Sequence, residues 1–153
     1  MIYGVVGSFS KIPPFPVGDP PMFTISKEFH FSASHQLDGL PADHPCSRLH
    51  GHNYRVRLVF TMVGEVLHGP GFVIDYRSLD TFKDYLNEEV DHRHLNEVFT
   101  DINPTAELLA HKFYDLALKL NPYPLTVALK VDVSETDKTW ASYEPDLLLG
   151  DPS

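Results

Sequence analysis

Residues 52–63 read His-Asn-Tyr-Arg-Val-Arg-Leu-Val-Phe-Thr-Met-Val, and their alternation decides what kind of fold this chain can form. His52, Tyr54, Val56, Leu58, Phe60 and Met62 share one side of an extended chain, with Asn53, Arg55, Arg57 and Thr61 on the other. Successive strand side chains point to opposite faces, so this is a half-buried strand. The same period runs upstream from Met22 to Ala33, where Phe23, Ile25, Phe29, Phe31 and Ala33 share a face interrupted only by Lys27. A polar, proline-containing loop from Ser34 to Leu49 joins the two strands.

Downstream the period changes. After a turn region at Gly64–Gly71 and a short apolar run, Phe72–Ile74, the spacing of Leu79, Phe82, Leu86 and Val90 predicts a helix capped by Asp75 or Ser78. Asn103-Pro104-Thr105 opens a second helix through Leu108, Leu109, Phe113, Leu116 and Leu120, ended by Pro122 and Pro124. Leu125, Val127, Leu129, Val131 and Val133 alternate as a third strand, and Thr139–Tyr143 forms a short fourth. The order is ββααββ, an α+β fold whose antiparallel sheet, made of two hairpins, carries both helices on one face. It is not a βαβ order, and no glycine-rich phosphate loop is present in the sequence.

The remaining composition narrows the class of function. With 153 residues, 42% of them hydrophobic, the chain has the material for one core. Residues 1–21 read as a proline-rich N-terminal extension, with five prolines between Lys11 and Pro21, and residues 22–153 as a single domain. The balance of 12 Lys and Arg against 21 Asp and Glu, net −9, argues against nucleic acid or an anionic membrane surface as partner. No apolar run in the sequence approaches the roughly 20 residues of a membrane helix. The single cysteine, Cys46, excludes an intrachain disulfide framework and suits a cytoplasmic location.

Nine histidines are the informative excess. In Cys46-Ser47-Arg48-Leu49-His50-Gly51-His52, the last two histidines fall on one face of a strand and form half of a tetrahedral zinc site. A His-x-His pair also occurs as plain strand decoration, but His35, just past the first strand, is a third ligand within reach. Three histidines with an open fourth position describe a catalytic zinc. A cupin would want a glutamate three to five residues later, where Arg55, Val56 and Arg57 stand, and the zinc-protease motifs are absent from the sequence. Cys46 sits in a polar loop beside Arg48, where a thiolate can act as base or nucleophile. In Asp91-His92 the carboxylate can orient the imidazole, although the same residues also suit a solvated helix end. Glu135, closing the third strand, is a carboxylate of the kind that grips a guanidine-like ring edge.

Taken together, Phe31-Ser32-Ala33-Ser34-His35, the Cys46–His52 motif, Gly71-Phe72-Val73-Ile74-Asp75, Val90-Asp91-His92-Arg93-His94-Leu95-Asn96, Asn103-Pro104-Thr105-Ala106-Glu107 and Glu135-Thr136 give the chain a clear likeness. From Met22 to about Tyr143 it resembles the 6-pyruvoyl-tetrahydropterin and 6-carboxytetrahydropterin synthases. The resemblance implies a tunnelling fold whose sheets close into a barrel on oligomerisation, commonly as a homo-hexamer built as a dimer of trimers with intersubunit active sites. It implies Zn2+ on His35, His50 and His52, Cys46 as catalytic base, Asp91 and His92 as companion proton relay, and Glu135 as pterin anchor, with Thr105 and Glu107 nearby. The Cys-x-x-x-His-Gly-His spacing is that of the 7-deazaguanine (queuosine precursor) branch. That branch acts on a pterin triphosphate, 7,8-dihydroneopterin triphosphate, to give 6-carboxytetrahydropterin, acetaldehyde and triphosphate. The alternatives are the biopterin-type reaction, which eliminates triphosphate and keeps a 6-pyruvoyl side chain, and a non-catalytic zinc- and pterin-binding module. Lys27, Arg48, Arg55, Arg57 and Arg93 are the basic residues available to the triphosphate.

Overall fold

A computed structural model describes residues 22–62, 67–121, 123 and 127–145. The proline-rich extension, the first part of the Gly64–Gly71 turn, Pro122, Pro124 and Leu125 lie outside the described residues. Strands β1 (Thr24–His35) and β2 (His50–Met62) form a long antiparallel pair in which Phe31 faces Tyr54 and Phe29 faces Val56. Both strands reach further than the alternation alone predicts, β1 to His35 and β2 back to His50. Each extension continues the existing alternation, so the histidines join the apolar face of the strands rather than the loop between them.

The single predicted helix around Leu79–Val90 is a composite. Asp75 caps a 3-10 turn at Tyr76–Leu79, helix α1 follows at Asp80–Tyr85, and a π turn occupies Leu86–Val90. Leu79, Phe82, Leu86 and Val90 are all buried, as their spacing predicts. The wide last turn, closed by Asp91 N–H on the Leu86 carbonyl at 2.8 Å, brings the chain to the edge of β1. There Arg93–His94 form β3, and a short helix α2 (Leu95–Val98) follows.

Helix α3 (Ala106–Leu120) starts at Thr105, whose hydroxyl accepts the Leu108 N–H at 3.3 Å. It buries Leu109, Ala110, Phe113 and Ala117, whereas Leu108, expected on that face, is 41% exposed because it lies about 100° round the helix from Leu109. Strands β4 (Val127–Thr136) and β5 (Thr139–Tyr143) complete the sheet in the order β3-β1-β2-β4-β5. The expectation of a purely antiparallel sheet is corrected at one edge, where β3 pairs with β1 in parallel. The sheet's inner face and α3 enclose the core, with Phe31 stacked on Tyr54 and edge-on to Phe113. The outer face of the sheet carries Arg55, Arg57 and Trp140, the two guanidinium groups 4.7 and 4.4 Å from the indole centroid.

Candidate functional site

Three imidazoles meet at one end of the β1–β2 pair, on its core face. The antiparallel register sets His35 opposite His50 and Ala33 opposite His52, so all three histidines leave the same side of the sheet. Their ligand nitrogens lie within 4.8 Å of one another. Two of the rings are held in one tautomer. His35 Nδ1 is 2.8 Å from the Pro104 carbonyl and His50 Nδ1 is 2.7 Å from that of Arg48. A carbonyl only accepts, so each Nδ1 carries the proton and each Nε2 presents a lone pair.

Those two Nε2 atoms stand 3.0 Å apart, and His52 Nε2 is buried without a hydrogen-bond partner. Burial holds His35 below the ordinary imidazole value. His52 is lowered for the same reason, with a further push from His50. A divalent metal bonded to imidazoles at about 2.0–2.1 Å would satisfy all three lone pairs at once. The donor set therefore fits a metal, and it is the only such cluster among the described residues.

Glu135 approaches from β4, its Oε1 3.9 Å from His35 Nε2. Burial pushes its carboxyl up from the usual range, His35 pulls it back, and Glu107 raises it again. Beside it, a cavity of about 220 Å³ is lined by Leu37, Thr105, Glu107, Glu135 and Thr139. Thr105 thus has a structural duty as the α3 cap as well as a place on this cavity wall.

Cys46 lies half-buried in a 3-10 turn, Pro45–Ser47, and stands outside the three-histidine cluster. Its N–H donates to His44 Nδ1 at 3.1 Å, and its carbonyl accepts the Leu37 N–H at 2.9 Å. The rest of that loop is tied down by two asparagines whose role the sequence does not announce. Asn96 accepts from Gln36 N–H and donates to the Gln36 carbonyl, at 2.9 and 2.8 Å. Asn103 does the same with Asp38, at 3.0 Å in both directions. Each side-chain amide acts as one rung of a strand ladder just beyond His35.

Asp91 and His92 are placed elsewhere. Asp91 Oδ1 accepts the Ser32 N–H at 2.8 Å, and Oδ2 lies 2.8 Å from His92 Nδ1. The Ser32 N–H, seconded by His92, holds the Asp91 carboxyl below its ordinary range. His92 takes a left-handed φ of 58°, which reverses the chain into β3, and its side chain is 80% exposed. It borders a cleft with Ser32, Ser34 and Asn53, which alternate in sequence with the buried face. The structure therefore brings His35, His50, His52, Glu135, Thr105 and Glu107 together, with Cys46 on the adjoining loop. The Asp91–His92 pair is on the other face of the sheet.

The basic candidates are similarly sorted. Lys27 is 3.8 Å from Asp80, Arg57 is 3.0 Å from Glu28, and Arg55 lies over Trp140. Arg48 is exposed on the loop between Cys46 and His50. Tyr54 is a further residue that sequence reading assigned only to the core. Its ring lies edge-on to His35 and His52, with centroids at 5.9 and 5.5 Å, and its buried hydroxyl has no partner. Burial, with Glu135 second, raises its pKa.

Comparison with known proteins bears on the same segments. A family model described as 6-pyruvoyl tetrahydropterin synthase matches residues 24–146, from the start of β1 to just beyond β5. The 6-carboxy-5,6,7,8-tetrahydropterin synthase of Bacillus subtilis (strain 168) is 31% identical over 137 residues, covering 82% of this chain and 88% of that protein. The 6-pyruvoyl tetrahydrobiopterin synthase of Homo sapiens is 28% identical over 132 residues, covering 78% and 90%. Among solved structures, the Caenorhabditis elegans 6-pyruvoyl tetrahydropterin synthase superposes with a TM-score of 0.69 at 27% identity, covering 82% of this chain and 97% of that one. Among the described residues, no helix is long and apolar enough to cross a membrane.

Proposed function

We propose, from the premise that the chain belongs to the 6-pyruvoyl tetrahydropterin synthase family of enzymes, that it catalyses the 6-carboxytetrahydropterin reaction. Its substrates are 7,8-dihydroneopterin triphosphate and one water, and its products are 6-carboxy-5,6,7,8-tetrahydropterin, acetaldehyde and triphosphate. The observation that carries this reading is the convergence of three imidazoles, two with Nδ1 already committed, of which His50 and His52 follow Cys46 at the Cys-x-x-x-His-Gly-His spacing. The Bacillus subtilis relative of that name supports it.

His35, His50 and His52 hold zinc, which when bound supplies Lewis-acid stabilisation of negative charge on the side-chain oxygens of the substrate. Glu135 accepts the paired N–H donors of the pterin ring edge, with Thr105 and Glu107 on the same cavity wall. Cys46, as thiolate, removes a proton from the substrate side chain, and His92 returns one. Asp91 fixes the proton on His92 Nδ1, so Nε2 is the exchanging atom.

Because the relay and the three-histidine cluster lie on opposite faces of one sheet, His92 serves Cys46 of a neighbouring subunit. Assembly is a homo-hexamer of two trimers, whose paired sheet edges close the barrel. Residues 22–153 form the synthase domain, with residues 1–21 as an extension. The enzyme works in the cytoplasm and supplies 7-deazaguanine (queuosine) synthesis.

Product analysis on zinc-loaded protein tests the assignment. Acetaldehyde with a 6-carboxypterin is the expected outcome. A 6-pyruvoyl pterin with no acetaldehyde assigns the reaction named for the human relative, and zinc and pterin binding without turnover makes the protein a carrier.

A further inference from the structure

Gln36, Leu37 and Asp38 run on from the end of β1 and are bonded on both sides, although no strand lies on either. Gln36 and Asp38 turn their backbone groups one way, to the side-chain amides of Asn96 and Asn103, each of which both accepts and donates. Leu37, between them, turns the other way, and its N–H donates to the Cys46 carbonyl at 2.9 Å. Backbone groups along an extended chain alternate in direction, so fixing Gln36 and Asp38 fixes where the Leu37 N–H points.

That N–H matters because of how the Cys46 turn is otherwise held. Among the described residues, every other hydrogen bond of residues 41–48 stays within residues 41–50. The Leu37 N–H is therefore the one tie from the turn to the end of β1. The two amides that aim it come from separate places, Asn96 from α2 and Asn103 from the segment before α3. Pro104, next to Asn103, holds His35 Nδ1 through its carbonyl, so one dipeptide sets both the His35 ring and the tether of Cys46.

We propose that Asn96 and Asn103 are positioning residues, whose amides aim the Leu37 N–H and through it place Cys46 relative to the three histidines. This rests on the proposed function, in which Cys46 is the base. A base must stand within hydrogen-bond reach of the proton it takes, and a misplacement of about 1 Å can cost ~100-fold in rate. Only a group that accepts and donates at once completes each rung. Aspartate in either place keeps the acceptor but sets a second acceptor against the Gln36 or Asp38 carbonyl.

Cys46 is the only thiol of the chain, so alkylation of the zinc-loaded protein by iodoacetamide reads this loop alone. Asn96→Asp and Asn103→Asp are expected to react several-fold faster than wild type, because the half-buried thiol loses its tether. Asn121→Asp, which gives up an amide bond to the Ser78 carbonyl, is the control and is expected to react as wild type does. In turnover the two loop variants are expected to lose at least about tenfold in kcat, with KM within about twofold, since the pterin contacts stay in place. Unchanged zinc content reports that they are folded. Asn96→Ala, which removes the bonds without opposing two acceptors, is read in place of a variant that loses zinc. Unchanged alkylation in both loop variants overturns the positioning role. So does equal acceleration by Asn121→Asp, or faster alkylation with wild-type kcat. Alkylation needs no turnover and decides the tether by itself, whereas acetaldehyde formation by the wild type scores the proposed reaction separately.

Discussion

The two faces of β1 and β2 carry opposite chemistry one residue apart. On the core face His35 is 1% exposed, its Nδ1 proton is committed to a carbonyl, and what it has left over is a lone pair. On the outer face, one position away, Ser34 bonds His94, and Asn53 next to His52 is left with N–H groups. The carbonyls of Pro104 and Arg48 turn the inner imidazoles so that their lone pairs fit a cation, whereas the outer set is exposed to solvent and hydrogen-bonded within itself. Alternation along one strand pair thus keeps a buried set of lone pairs and an exposed polar set on separate sides. A one-residue slip in register would exchange them and destroy both.

The largest effect expected from breaking this arrangement is at the inner face. His50→Ala should drop zinc from about one per chain to a small fraction, with loss of all turnover, because two ligands do not hold zinc tightly. Elemental analysis finding full zinc in this variant would reject the three-histidine assignment. Next, Cys46→Ala should lower turnover by about 10²–10⁴ and leave zinc content intact, as loss of a positioned base does. The same variant sharpens the comparison of faces when mixed with His92→Ala. Each alone should be inactive, and reassembled mixtures should recover up to about a quarter of wild-type activity, since a site between subunits needs one intact half from each. Steady inactivity of the mixture would put both residues in one subunit's site.

Thr105→Ala should destabilise the fold by about 1 kcal/mol through the lost α3 cap, and Thr105→Ser should restore most of it, as urea unfolding would measure. Smallest is the pH term from Asp91. Its carboxyl is lowered in the folded state, so it contributes stability that is complete above the ordinary carboxylate value of about 3.9. That contribution should vanish as pH falls through the lowered folded value. The gap between wild type and Asp91→Asn should therefore be constant near neutrality and close only in strong acid. A gap that closes between pH 5 and 7 would mean the pair is held by something else.

How much of this was legible in the sequence varies with the range of the interaction. The strands from Thr24 and toward Met62 show because alternation is local, and the second helix shows because Pro104 and Thr105 mark its start. Strand β3 did not show, since two residues leave no period to read, and the π turn at Leu86–Val90 keeps the same apolar spacing as an ordinary helix. Asn96 and Asn103 were visible as part of a likeness, but their work as ladder rungs depends on Gln36 and Asp38, about 60 residues away.

The sequence by itself determined which residues share a face, because strand and helix periods are properties of the backbone. It thereby settled that His35, His50 and His52 could act together, and that Cys46 lies on the loop between the first of them and the other two. Only the tertiary structure decided which way each imidazole turns, since that is set by the carbonyls of Pro104 and Arg48. It alone put Glu135 within 3.9 Å of His35 across the sheet, and put Asp91 and His92 on the far side of the same strands. Those placements depend on which strand lies beside which and which carbonyl reaches which ring, quantities that no local pattern along the chain encodes.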